Sequence, residues 1–261
     1  MRGILFDIDG VFYNAGQPIE GGAATVAQMR AWGVPLRFLT NTSTLSRQDL
    51  AERLGRFGIP TAPEEIIHPP SAAAAWLRAQ GVQGVALFVK ASAATEFAGL
   101  PLLESGAETG AGAVVVGDLG EEWGYAALTR AFRLLHANPA ARLIALGMTR
   151  YWHAPDGLRL DVGPFAALLA MAAEREPLVL GKPAPQFFAQ AIAALGLPAN
   201  QIVMVGDDVD GDVGGAQRAG MQGVLVRTGK YRDGDLDRSV RPDGVLPSVA
   251  ALPDWWQREA G

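Results

Sequence analysis

Cysteine is absent from the 261 residues, which rules out a disulfide framework and a thiolate-ligated metal. The absence fits a reducing compartment, and a cytoplasmic protein is the expectation. Histidine is scarce: His68, His136 and His153 are the only three, and they show neither metal-binding spacing nor a paired carboxylate. No apolar run approaches the length of a membrane span, although 49% of the residues are hydrophobic and the mean hydropathy is +0.14. Blocks of basic residues are missing and the formal net charge is −5, which disfavours nucleic acid as a main partner. Strand-like sequence starts at Gly3, so no basic-then-apolar leader is read there. Lysine is rare as well. Of 22 basic residues only Lys90, Lys182 and Lys230 are lysines, and each is a candidate for a task that arginine does not perform.

What the chain does have is a recurring order of short apolar runs and helical patterns. Residues 3–9 read as a buried strand, 10–20 as a loop broken by Gly10, Gly16 and Pro18, and 21–32 as a helix stopped by Gly33. Val34 to Leu39 is a second strand. A helix from Ser46 to Gly58 follows, then a short strand at Ile66-Ile67. This β-α-β-α-β order predicts an α/β fold with a doubly wound parallel sheet. From Ser71 to about Glu176 the texture changes to a smaller α/β unit, with strands at 84–89, 112–116 and 142–146, an irregular stretch at 147–162 and a helix at 164–174. The first pattern then resumes with strands at 178–180, 201–205 and 223–226. The expected organisation is a core of residues 1–72 and 178–261 interrupted by an inserted domain, 73–177.

Ligands of such sheets sit beyond the C-terminal ends of the strands, at the point where strand order reverses. Four segment ends carry polar residues suited to that place: Asp7 with Asp9, Thr40 with Asn41, Lys182, and Asp207 with Asp208, followed by Asp212. These residue types suit phosphoryl transfer to a carboxylate. A hard divalent cation such as Mg²⁺ would take oxygen ligands from Asp7, Asp207 and the Asp9 backbone carbonyl. Thr40 and the backbone amides after it could bind phosphate oxygens, and Lys182 would neutralise the nucleophile and the transferring group. Asp9 could protonate the leaving oxygen and then deprotonate a water.

The motifs Phe6-Asp7-Ile8-Asp9-Gly10, Leu39-Thr40-Asn41, Gly181-Lys182-Pro183 and Val205-Gly206-Asp207-Asp208 with Asp212 resemble, in order, those of haloacid-dehalogenase superfamily phosphatases. A long insertion before the lysine resembles the NagD-like branch, which carries a large α/β cap. Residues 206–232, with Arg150-Tyr151-Trp152 and Asp156-Gly157-Leu158, resemble a narrower group that acts on pyrophosphate and phosphoamides. The resemblance implies a Mg²⁺-dependent phosphatase with an aspartyl-phosphate intermediate and a small phosphorylated substrate. By it Asp7 is the nucleophile, Asp9 the acid/base, Thr40 and Asn41 the phosphate binders, Lys182 the clamp, Asp207 a metal anchor, and Asp208 and Asp212 supporting acids. Dehalogenation is disfavoured, because dehalogenases lack an acid at the position of Asp9.

Rival readings remain at this stage. A phosphotransferase or mutase could use the same core, and a non-enzymatic phosphate sensor could retain the fold. Asp207 and Asp208 could instead cap the following helix, and one of them could do both jobs. Arg150, Tyr151 and Trp152 are the candidate specificity residues of the cap, with a structural cap strand as the alternative. Val114 to Asp118 reads as a strand terminus, Gly214-Gly215 as a close-packing pair, and Trp255-Trp256 as core or an oligomer contact, which leaves a homodimer open.

Overall fold

A computed structural model describes residues 1–154 and 156–260. Contacts gather the chain into two compact units, one formed by residues 1–40, 47–67 and 182–261 and the other by 41–46 and 68–181. Each contains its own parallel sheet.

The larger unit is built on six strands in the order Gly244–Leu246, Gln222–Val226, Ile202–Gly206, Gly3–Phe6, Leu36–Leu39, Ile66–Ile67. All five pairings are parallel. The central strands Gly3–Phe6 and Ile202–Gly206 are buried at every position, as expected of parallel strands covered on both faces. That is why they read as unbroken apolar runs with no alternation. Phe6, Phe12 and Phe38 form a ring cluster with centroids 5.3 to 6.2 Å apart. The chain builds outward from Gly3–Phe6 through Leu36–Leu39 and Ile66–Ile67, then resumes on the other side at Ile202–Gly206. The reversal of strand order therefore falls between the strands that end at Asp7 and at Asp207. Trp255 and Trp256 are buried in this unit and belong to its core.

The smaller unit has a four-stranded parallel sheet ordered Leu178–Val179, Arg142–Ala145, Ala113–Val116, Val85–Phe88. Its main helices are Pro69–Gln80, Tyr125–Ala137 and Val162–Ala173. The last begins on Asp161, whose Oδ1 accepts from the Val162 amide at 2.7 Å. A stack of Phe88, Trp123 and Phe165, with centroid spacings of 5.7 and 5.1 Å, lies in this unit.

Two local expectations need correction. Leu178–Val179 pairs with Arg142–Ala145 and not in the six-stranded sheet, so the run before Lys182 serves the smaller unit. The stretch 147–162 is not irregular: Tyr151–Ala154 and Gly157–Leu160 form an antiparallel pair. Gly157–Leu160 is exposed at all four positions, so it lacks the inside–outside alternation that identifies a half-buried strand.

Candidate active site

The switch point places Asp7 beside Asp207, and the rest of the larger unit completes the cluster. Asp7, Asp207, Asp212 and Lys182 are all buried. Lys182 Nζ lies 2.6 Å from Asp7 Oδ1, 2.6 Å from Asp212 Oδ1 and 3.1 Å from the Leu39 carbonyl oxygen. Its three donor directions are thus committed to three segments, including the strand end that leads into Thr40. Burial pulls the ammonium toward its neutral form, but Asp212 and Asp7 outweigh that pull and hold Lys182 above the ordinary lysine range. It stays charged.

The acids outnumber it. Three buried carboxylates face one buried ammonium, a surplus of two negative charges. Burial, reinforced by Asp7 and Asp212, pushes the Asp207 carboxyl up to about 8. Burial also pushes Asp212 up to about 6, because the neighbouring Asp7 and Asp208 charges work with desolvation against Lys182. Asp207 Oδ2 accepts from the Lys230 amide at 2.7 Å, whereas Oδ1 is buried with no hydrogen-bond partner. Oxygens of Asp7, Asp207 and Asp212 lie within 4.8 Å of one another. An orphaned buried oxygen, an all-oxygen donor set and a charge deficit of two fit a hard divalent cation such as Mg²⁺. With Lys182 holding one oxygen each of Asp7 and Asp212, Asp207 is the least committed of the three acids. Among the described residues the cluster of side-chain acids also takes in Asp212, which the sequence reading gave only a supporting place.

The cluster is enclosed by close backbone. Gly10 (φ +80°) and Gly229 (φ +61°) adopt left-handed conformations, and a Cβ on either would collide with the Asp207 carboxylate. A Cβ on Gly206 would collide with Asp212. The Thr228 hydroxyl donates to the Gly10 carbonyl, tying the 228–230 loop to the first motif. Asp208 caps the following turn: Oδ1 accepts from the amides of Asp210 and Gly211 at 3.1 and 2.9 Å. Its amide in turn donates to Asp212 Oδ2 at 3.1 Å. Asp212 sits in a π-helical turn, Val209–Gly214, a widened geometry frequent at functional sites. Gly215 admits the Phe188 ring, which a side chain would displace.

Asp9 stands apart from the buried acids. It is exposed, and the buried Tyr13 hydroxyl hydrogen-bonds to it. Thr40 is buried at the end of Leu36–Leu39, with its amide on the Ile67 carbonyl at 3.1 Å. Asn41, the next residue, groups with the smaller unit, where its Oδ1 lies close to Gly181. Lys230, Thr228 and Gly229 had no site role in the sequence reading. The rarity of lysine was the available signal for Lys230, whose ammonium lies 3.5 Å from Asp208 Oδ2.

The smaller unit holds a cavity of about 680 Å³ lined by Lys90, Asp118, Glu122, Trp152, Arg159 and Phe165, among others. Of the three cap residues expected to set specificity, Trp152 lines it; Arg150 and Tyr151 are exposed and are not among its lining residues. The Arg150 guanidinium lies over the Tyr151 ring at 5.9 Å. Asp118, read as a strand terminus, borders the cavity and accepts from the Gly120 amide at 2.7 Å. His136 occupies the last turn of its helix, 5.4 Å from the Phe132 ring. His68 is buried against Ser71 and the Leu45 carbonyl. The His153 side chain lies outside the described residues.

A family model described as haloacid dehalogenase-like hydrolase matches residues 4–100, and one described as HAD-hydrolase-like matches residues 179–252. The chain belongs to the haloacid dehalogenase-like hydrolases, and it is a phosphatase of that family. It is 38% identical to the human phospholysine phosphohistidine inorganic pyrophosphate phosphatase, over 97% of this chain and 93% of that protein. The structure of a p-nitrophenyl phosphatase from Archaeoglobus fulgidus superposes with a TM-score of 0.88 at 30% identity, covering 97% of this chain and 98% of the other. NagD from E. coli K-12 shares the fold, with a TM-score of 0.84 at 24% identity over 96% and 97% of the two chains. No helix among the described residues is long and apolar enough to cross a membrane.

Proposed function

We propose that the chain is a Mg²⁺-dependent phosphatase that hydrolyses small phosphorylated molecules through an aspartyl-phosphate on Asp7. The observation behind this reading is the buried Asp7 at the switch point, held by Lys182 at 2.6 Å and faced by the orphaned oxygen of Asp207. A carboxylate is a weak nucleophile toward an anionic phosphoryl group unless fixed positive charge offsets the repulsion. Lys182 supplies one such charge. Asp7 and Asp207, with the Asp9 carbonyl, would hold the metal, which supplies further charge neutralisation at the phosphoryl oxygens when bound.

The sequence of steps follows from the residues. A carboxylate oxygen of Asp7 attacks phosphorus, and the bond to the leaving oxygen breaks. Asp9 gives its proton to that oxygen. Water then attacks the aspartyl-phosphate while Asp9 takes its proton, so Asp7 is restored and inorganic phosphate departs. Thr40 and Asn41 hold phosphoryl oxygens during both steps. Asp208 shapes the turn that presents Asp212, and Asp212 fixes Lys182.

The human relative's name gives phospholysine, phosphohistidine and pyrophosphate, and the archaeal relative's gives p-nitrophenyl phosphate. Phosphoamides, pyrophosphate and small phosphoesters are accordingly the substrates to test first. We assign the choice among them to the smaller unit, through Trp152 and the mixed charges of its cavity. Purified protein with Mg²⁺ should release phosphate from at least one member of that panel. Asp7→Asn should lower release by about 10³-fold or more, since it removes the attacking carboxylate. No release from any member, together with an Asp7→Asn protein that behaves like wild type, would defeat this reading.

A further inference from the structure

Asp9 poses a geometric problem that Asp7 does not. Asp7 is buried and clamped by Lys182, but Asp9 is exposed and its carboxylate stands outside that clamp. Proton transfer in a catalytic step needs the donor held to within about 0.5 Å. The structure around Tyr13 supplies that hold. A turn closes from Asp9 to Tyr13: the Gly10 amide donates to the Tyr13 carbonyl at 2.7 Å, Gly10 takes a positive φ, and Asp9 and Tyr13 form a backbone bridge. The Tyr13 ring is buried, packs against Phe57 at 5.3 Å and lies under the Arg53 guanidinium at 5.7 Å. Arg53 Nη1 donates to the Tyr13 hydroxyl oxygen at 3.4 Å, and that hydroxyl hydrogen-bonds to the Asp9 carboxylate.

We infer that Tyr13, held from behind by Arg53, is a positioning residue for Asp9, fixing one carboxylate oxygen so that the other moves the proton. The inference rests on the phosphatase reading above. A relay Arg53 to Tyr13 to Asp9 has a defined polarity. Arg53 can only donate, so the phenol oxygen accepts from it and the phenol proton points at Asp9. Tyr13 falls in the loop read at residues 10–20 and Arg53 within the helix read from Ser46 to Gly58; only the fold brings them to Asp9.

The test uses leaving groups of different basicity. p-Nitrophenolate departs without a proton, whereas an alkoxide needs one from Asp9. Single-turnover cleavage of p-nitrophenyl phosphate and of 2-phenylethyl phosphate, with Mg²⁺, is compared for wild type and Tyr13→Phe. That substitution keeps the ring packed on Phe57. The alkyl ester should slow about tenfold more than the nitrophenyl ester, a fraction of the ~10²–10⁴-fold that general acid catalysis supplies. In an Asp9→Asn background Tyr13→Phe should add no further selectivity, because the group it positions is gone. Arg53→Met, at a half-buried surface site, should shift the ratio the same way by a smaller factor, and it carries the test if Tyr13→Phe does not fold. A ratio unchanged by either variant, or a Tyr13→Phe effect that persists in full without Asp9, overturns the inference alone. Wild-type protein that releases phosphate from neither ester, nor from pyrophosphate or a phosphoamide, overturns it together with the phosphatase reading.

Discussion

The chain gathers charge in two places and treats it in opposite ways. In the larger unit Asp7, Asp207 and Asp212 are buried and outnumber the one buried ammonium beside them. In the smaller unit the charges around the cavity are open to water and paired off. Lys90 sits 2.6 Å from Glu122, and Arg159 sits 2.6 Å from Asp156. Exposed pairs of this kind contribute little to stability and are screened by salt. A dry, unbalanced cluster is costly to fold, but fixed charges act strongly there on a substrate whose own charge is redistributed. The comparison teaches a contrast in cost: the buried acids of the larger unit are held against folding stability, as the proposed chemistry would require, whereas the exposed pairs of the smaller unit can change with little effect on it.

Lys182 offers the largest break in that comparison. Lys182→Met removes the buried cation of the cluster and leaves three buried acids uncompensated. The loss of a partner from a buried pair typically costs about 3–5 kcal/mol, so a large fall in melting temperature is expected at neutral pH, along with loss of phosphate release. The deficit should shrink on acidification, since protonated acids no longer need the lysine. Melting curves of both proteins at several pH values check this. A Lys182→Met protein as stable as wild type at neutral pH would mean that the cluster is not electrostatically strained.

A smaller effect of opposite sign is expected at Asp207. Its folded carboxyl is raised to about 8, so the folded state binds more protons than the unfolded chain between about pH 4, the ordinary carboxylate value, and that point. Through this group, metal-free protein should lose stability as pH rises across that window. Mg²⁺ should reverse the loss, by about 2.7 kcal/mol at a concentration 100 times its dissociation constant. Asp207→Asn removes the repulsion outright. It should melt higher than wild type without metal, flatten the pH dependence and show no response to Mg²⁺. A metal-induced shift that survives Asp207→Asn would place the ion elsewhere.

The two regions also differ in how far the sequence discloses them. Asp7, Asp207 and Thr40 each end a buried strand, and such strands announce themselves as unbroken apolar runs. Parallel pairing then carries the polar residues to one edge. Lys182 was legible from its motif, though the short strand before it proved to belong to the other sheet. Asp212 was ambiguous in sequence because a regular helix does not by itself direct one acid inward; the π-helical turn and the bare Gly206 beneath it do. The Tyr13–Arg53 contact joins residues 40 positions apart with no motif at either. The exposed strand Gly157–Leu160 carries no burial pattern to read, although Asp156-Gly157 is a common hairpin-turn dipeptide. Chemistry that depends on burial leaves a trace in the sequence, and recognition built on exposed side chains leaves much less.

The gentlest test addresses the smaller unit directly. If its cavity sorts substrates, Trp152→Ala and Glu122→Gln should leave the unfolding free energy within the scatter of surface substitutions, about ±0.5 kcal/mol. Both should nevertheless change the ranking of substrates. Trp152 presents a large flat apolar face to the cavity, and one pocket contact is worth about 1–3 kcal/mol of discrimination. Its loss should therefore alter kcat/KM ratios between a phosphoamide, pyrophosphate and p-nitrophenyl phosphate by about tenfold. Glu122→Gln frees Lys90 from its partner at 2.6 Å, so it should favour the more anionic substrate, pyrophosphate, by a smaller factor. Arg150→Ala lies outside the cavity lining and should change the ranking least. Substrate profiles measured for the three variants decide the matter. If Arg150→Ala shifts the ranking while Trp152→Ala scales every substrate equally, specificity resides at the exposed Arg150–Tyr151 pair and not in the cavity.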